Sequence, residues 1–289
     1  MIGALPLPIQ GEMFESLVAR LGRRISAKGR IRNKDLQPGT SVAGRLCPER
    51  LVASLANPQW LSLPGILEEQ TVLPIFRPFL DAQTHNTFAR NLAQARRMSR
   101  VTQALANARR FCPICRNTEF IELGEAGWHL IHQLRWVWRC QAHHCALWEL
   151  NTRFDGPADA CPIDTQCQSR ADLEVLKSIE RDTKWLAGAR VPPLGALRWR
   201  AFHRAALTER FGIKPPYFRS ELFKLAHRIR PRARQWLGLS MISYMDHWLA
   251  TVVVTQHGTT DPLLHLATLR VCGIKISEAV TRISSYADC

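Results

Sequence analysis

The side chains best equipped for chemistry lie between residues 111 and 150, FCPICRNTEFIELGEAGWHLIHQLRWVWRCQAHHCALWEL. This stretch holds four of the chain's nine cysteines and four of its ten histidines. Cys112 and Cys115 form a C-x-x-C knuckle, and 24 intervening residues separate it from the C-x-x-H knuckle of Cys140 and His143. A two-residue gap lets a tight turn aim both side chains at one point, which is the requirement of tetrahedral zinc. Thiolate and imidazole donors favour zinc over magnesium or calcium. Four protein ligands leave no open position for a reacting water, so the expected metal is structural rather than catalytic. His144 and Cys145 are the alternative donors, at less favourable spacing, and His129 and His132 read as packing around the site. Downstream, Cys161 and Cys167 in CPIDTQC look like a knuckle widened to five intervening residues, half of a second metal site.

Other chemistries fit less well. A redox C-x-x-C belongs in a thioredoxin-like βαβ setting, which is missing here. A histidine-metal nuclease needs a metal-binding carboxylate, and Glu119, Glu122, Glu125 and Glu149 show no arrangement for one. The sequence has no G-x-x-x-x-G-K-[ST] phosphate loop, no carboxylate triad for strand transfer and no nucleophile paired with a base, so no catalytic residue is expected.

Around this block the chain is strongly basic, with a net charge of +15. Residues 1–111 carry 16 Lys/Arg against 7 Asp/Glu, residues 112–168 carry 4 against 7, and residues 169–289 carry 19 against 10. The Cys/His block is therefore an acidic island between two basic arms. Clustered positive charge attracts polyanions, nucleic acid foremost. The expected phosphate contacts are Arg20, Arg23, Arg24, Lys28, Arg30, Arg32 and Lys34 in the first arm. In the second they are Arg228, Arg230, Arg232 and Arg234, within a stretch from Arg198 to Arg234 that has eleven Lys/Arg and two Glu. No apolar run approaches the roughly 18 residues of a membrane span. The opening MIGALPLPIQGE lacks the features of a secretory signal, so a cytoplasmic, DNA-associated protein with reduced thiols is expected.

The elements that must position these residues are mainly helical. Phe14, Leu17, Val18, Leu21 and Ile25 fall at helical spacing and form one apolar face from Glu12 to about Lys28. Six prolines break residues 36–80 into loops and short helices, and helical pattern returns from Thr84 to Arg110. Residues 171–187 form a helix ending at Gly188, and Ser220 caps another that Pro231 ends. Residues 240–254 read as a buried apolar helix or strand. Asp261 and Pro262 begin a helix, Gly273 follows it, and Ser277 caps a second, which suggests a helix-turn-helix or an ordinary helical hairpin. The expected architecture is a helical N-terminal domain (1–110), a central zinc-ribbon module with short β-hairpins (111–168) and a basic helical C-terminal domain (169–289).

Two segments carry a family resemblance. GEMFESLVARL places Gly11, Glu12, Phe14, Ser16, Arg20 and Leu21 in one pattern. CPIC…WHLIHQLRWVWRCQAHHCAL places Cys112, Pro113, Cys115, Trp128, His129, His132, Gln133, Leu134, Cys140, His143 and Leu147 in another. Together they resemble the TniQ/TnsD family of transposon target-selection proteins. The chain departs from the family pattern at Leu17, Gln141 and His144, and in the widened cysteine pair after Cys161. The resemblance implies a non-catalytic adaptor, with the N-terminal segment meeting an AAA+ transposition ATPase and the transposase served indirectly. Target choice would come from target DNA or from a CRISPR effector ribonucleoprotein, and a homodimer could present two docking surfaces. The alternative is a free-standing zinc-containing transcription regulator that uses the helix-turn-helix.

Overall fold

The structure, a computed structural model, describes residues 7–26, 47–54, 61–150, 160–163, 170–212, 248–254 and 256–285. The fold is mainly helical with a few short strands, as the composition of the elements suggested. The chain divides into two compact units. The first comprises residues 1–73, 87–134 and 139–163; the second comprises 74–86, 135–138 and 164–289.

In the first unit, helix α1 (Phe14–Ser26) buries Phe14, Leu17, Val18 and Leu21. They pack with Leu51 of α2 (Pro48–Ser54), Leu61, and Ile66 of α3 (Leu63–Glu69). Burying an aliphatic or aromatic side chain contributes about 1.5–3 kcal/mol, so this periodic face is what holds α1 in place. After α4 (Leu73–Phe76), the expected run of helix from Thr84 to Arg110 is interrupted. Helix α5 (Ala82–Ala93) and α6 (Ser99–Ala104) are separate, and strand β1 (Arg109–Phe111) follows them. The break has a definite hydrogen-bond signature: Ala95 N–H donates to Leu92 O at 3.0 Å and Arg96 N–H to Asn91 O at 2.8 Å. This is a Schellman C-cap, whose left-handed position favours glycine. Here Ala95 occupies it with φ +49°, at a cost of about 1 kcal/mol.

Strand β1 leads into helix α7 (Pro113–Leu123), and β2 (Trp148–Leu150) and β3 (Ala160–Pro162) complete a three-stranded antiparallel sheet in the order β1-β2-β3. Phe111 pairs with Trp148, so Cys112, one residue beyond β1, faces the chain that enters β2. This register brings the two knuckles together.

The second unit contains α8 (Arg170–Gly188), α9 (Ala196–Phe211), α10 (Trp248–Val253), α11 (Pro262–Cys272) and α12 (Ile276–Ser285). Asp261 caps α11, accepting from Leu263 N–H at 2.9 Å. Helix α11 is buried nearly all round against α8, α9, α10 and α12. Trp199 anchors α9 by donating Nε1–H to Pro78 O at 2.8 Å. Trp136 Nε1–H donates to Thr183 Oγ1 at 3.0 Å, and Trp138 N–H to Glu180 Oε1 at 2.8 Å, which pins residues 135–138 to α8.

The helix-turn-helix reading is corrected in two details. Ser277 lies inside the first turn of α12, which starts at Ile276, so it is not the cap. The basic residue of α12, Arg282, is ion-paired with Glu278 at 2.6 Å, which leaves the helix without the net positive face a DNA-reading helix uses. The helix expected after Ser220 lies outside the described residues, as does most of the 240–254 segment.

Candidate metal centre

The first knuckle is built by the start of α7. Cys112 is the N-cap, Pro113 occupies the first turn where its missing N–H costs nothing, and Cys115 N–H points at Cys112 Sγ at 3.4 Å. The second knuckle is a tight loop closed by the Arg139–Ala146 bridge, with Cys140 N–H donating to Cys145 O and His144 N–H to Cys140 O, both at 2.8 Å. His144 takes the left-handed conformation (φ +53°) that the loop requires and is exposed.

The ligand atoms of Cys112, Cys115, Cys140 and His143 lie within 4.8 Å of one another. His143 Nδ1 stands 3.4 Å from Cys112 Sγ, 3.2 Å from Cys115 Sγ and 3.5 Å from Cys140 Sγ, and the Cys115–Cys140 Sγ separation is 3.7 Å. A tetrahedron with Zn–S and Zn–N bonds of ordinary length has S···S edges of about 3.8 Å and S···N edges of about 3.6 Å. The donor set therefore fits a tetrahedral metal ion in both chemistry and spacing. Burial, reinforced by Cys140 and Cys112, pushes the Cys115 thiol up, and burial also pushes up Cys140. A divalent cation reverses that preference, because a thiolate at its side is stabilised. Cys145 Sγ is 3.4 Å from Cys112 Sγ but is not one of the four, and His144 has no place in the cluster.

The residues between the knuckles form the seat of the module. Gln133 lies along β1 like an extra strand: its Nε2–H donates to Arg110 O at 2.6 Å and its Oε1 accepts from Arg110 N–H at 3.2 Å. His129 Nε2 is paired with Glu119 Oε1, whose other oxygen accepts from Gly127 N–H at 2.9 Å. Burial alone would raise the Glu119 carboxyl, but these two contacts outweigh it and hold it below the usual range. His132, buried beside His129, is pushed down to about 3 by desolvation and stays neutral.

The N-terminal motif locks onto this same segment. Buried Glu12 accepts from Ile9 N–H (3.1 Å), Ser16 Oγ–H (2.6 Å) and Arg20 Nη1–H (2.6 Å). Arg20 also donates to Glu125 Oε1 at 2.9 Å and to Leu7 O at 3.2 Å. Ser16 Oγ in turn accepts from Trp128 N–H at 2.9 Å, and Met13 N–H donates to Trp128 O at 2.8 Å. A Cβ at Gly127 would stand 2.8 Å from Glu12 Oε1, so the glycine admits the carboxylate. GEMFESLVARL and WHLIHQL are thus two halves of one buried polar network.

The expected nucleic-acid residues fare unevenly. Arg20 is 2% exposed and ion-paired through its two terminal nitrogens with Glu12 and Glu125, so its guanidinium is turned into the fold rather than offered to solvent. Its charge read as surface because both partners, Glu12 and Glu125, are invisible to local periodicity. Arg23 and Arg24 are exposed at the end of α1, with Arg24 also reaching Glu125 at 2.5 Å. Lys28, Arg30, Arg32 and Lys34 lie outside the described residues, as do Arg228, Arg230, Arg232 and Arg234. Of the second cysteine pair, Cys161 is exposed on β3 and belongs to no cluster among the described residues, while Cys167 lies outside them.

Residues 5–147, close to half of the chain, match the protein-family model TniQ. The chain belongs to the TniQ family. The matched span contains the Glu12–Arg20 network and ends just past His143, so it includes every donor of the metal cluster. A search of curated proteins returns no match. Membership places this TniQ protein, in general terms, in target selection for Tn7-like transposition. No helix among its described residues is long and apolar enough to cross a membrane.

Proposed function

We propose that this TniQ protein is a target-site selection adaptor that links target DNA, or a CRISPR effector ribonucleoprotein carrying it, to an AAA+ transposition ATPase. In this reading Cys112, Cys115, Cys140 and His143 hold one zinc ion. Its contribution is structural: it stabilises the three cysteines as thiolates and ties the start of α7 to the loop before β2. The observation that carries the proposal is the joining of two distant motifs, Gly11–Leu21 and Trp128–Leu134, in one buried network directly beside a four-donor cluster inside the TniQ span. Such a network braces the module from within, which suits a scaffold for docking.

The basic arms would supply phosphate contacts, giving salt-dependent and weakly sequence-specific binding. Pulldown of the full chain against an AAA+ transposition ATPase and a CRISPR effector complex, each with and without target DNA, tests the reading. Capture of the ATPase that strengthens with DNA or with the effector is expected. Capture of neither, together with nanomolar binding to a short operator by the protein alone, would replace the adaptor with a transcription regulator.

A further inference from the structure

In the first unit a cavity of about 390 Å³ opens where the start of α1 meets the α5–α6 connection. Its walls are apolar, with Met13, Val72, Leu92, Met98, Val101 and Leu105 among them. Two of these are methionines, whose flexible side chains adapt to varied apolar shapes. Set in the wall is Gln70, 5% exposed, whose Oε1 is buried without a hydrogen-bond partner among the described residues. The neighbouring hydroxyls are already satisfied: Thr71 donates to Leu67 O at 2.6 Å and Thr102 to Met98 O at 3.2 Å. Gln70 Oε1 therefore calls for an N–H donor.

The mouth is basic. Arg96 and Arg97 line it, Arg100 follows on α6, all three are exposed, and none makes an ion pair among the described residues. The lining has one acid, Glu15, against these arginines. The strained left-handed Ala95 immediately precedes Arg96, so backbone strain is spent at the turn that carries this basic rim.

We infer that this cavity docks a peptide segment of a partner protein: an apolar side chain enters it, a backbone N–H satisfies Gln70, and flanking Asp or Glu residues meet Arg96 and Arg97. A nucleobase fits poorly. The one aromatic ring in the lining, Phe14, is 5% exposed and offers no stacking face. The inference stands on this cavity alone and does not require zinc or a particular transposition partner.

The test uses the full chain and immobilised twelve-residue peptides, each with one central Leu, Ile, Met or Phe flanked by Asp and Glu. A matched set flanked by Lys and Arg and a dT12 oligonucleotide serve as competitors. Binding of the acidic set over the basic set is expected, weakened about tenfold by Arg96→Glu with Arg97→Glu, both exposed and harmless to folding. Gln70→Leu is expected to weaken the same peptides while raising the thermal midpoint, because it removes a buried unsatisfied acceptor. Equal binding of the two peptide sets overturns the inference, as does acidic-peptide binding untouched by the arginine reversals. Displacement of bound peptide by dT12 at lower concentration than by free acidic peptide reassigns the cavity to nucleic acid.

Discussion

Replacing Glu12 with Ala isolates the polar network that joins the two motifs. Glu12 is 0% exposed and receives three hydrogen bonds, one of them charge-assisted from Arg20, itself 2% exposed. The substitution leaves Arg20 with Glu125 as its one carboxylate and strips acceptors from Ile9 N–H and Ser16 Oγ–H. Breaking a buried pair from one side costs about 3–5 kcal/mol. Against a typical total of about 5–15 kcal/mol, that is a large share of the stability of the unit. Urea unfolding followed by tryptophan fluorescence reads the loss. Arg20→Ala should cost a comparable amount, Arg23→Ala should stay within about 0.5 kcal/mol of the parent as an exposed control, and Glu12→Leu with Arg20→Met should recover most of the loss because no buried charge is left unpaired. If Arg20→Ala unfolds like Arg23→Ala and instead lowers affinity for DNA, the assignment of Arg20 to the fold is wrong.

Further expectations concern the same framework and the second unit. Gly127→Ala drives a methyl to 2.8 Å from Glu12 Oε1 and should lower stability by about 1–3 kcal/mol by thermal unfolding. Cys145→Ser should leave metal content unchanged, whereas Cys140→Ser or chelation should abolish it and lower the thermal midpoint; equal effects would mean that Cys145 is a donor. In the second unit, His203 Nε2 lies 2.9 Å from His265 Nδ1, and His265 Nε2 lies 2.8 Å from Thr259 O, an arrangement in which a neutral His265 donates to the carbonyl and accepts from His203. Desolvation holds His203 well below the usual histidine value, with His265 adding to the shift, and desolvation pushes His265 down to about 4. Their contribution is therefore complete above the unfolded value of about 6.5 and is lost as pH falls from there toward 4, at up to about 1.4 kcal/mol per unit for each ring. Asp182, raised to about 6 by burial, acts in the opposite sense, losing its contribution as pH rises toward 6. His203→Phe should flatten the pH dependence of stability between 6.5 and 4, and an unchanged slope would show that the pair does not titrate as described.

The metal cluster was legible because both knuckles are local: two-residue gaps fix ligand direction whatever lies between. The antiparallel pairing that closes it, Phe111 opposite Trp148, was not, since Arg109 and Arg110 lead the strand and no alternation marks it. The apolar face of α1 is readable from spacing, whereas the burial of Arg20 on its flank is not, because its partner Glu125 stands 105 residues away. The break between α5 and α6 escaped because its left-handed position carries Ala95 rather than glycine. For helix α11 the sequence leaves a helix-turn-helix and an ordinary helical hairpin both open, and its burial on nearly every side is what an all-round apolar sequence such as PLLHLATL implies.

Zinc K-edge X-ray absorption on the purified full chain, with metal quantified per chain, reads out whether the four donors hold a metal. One zinc per chain is expected, with three sulfur neighbours at about 2.3 Å and one nitrogen at about 2.0 Å. A metal-free protein that is nonetheless folded, or a four-sulfur shell with Cys145 in place of His143, would contradict it.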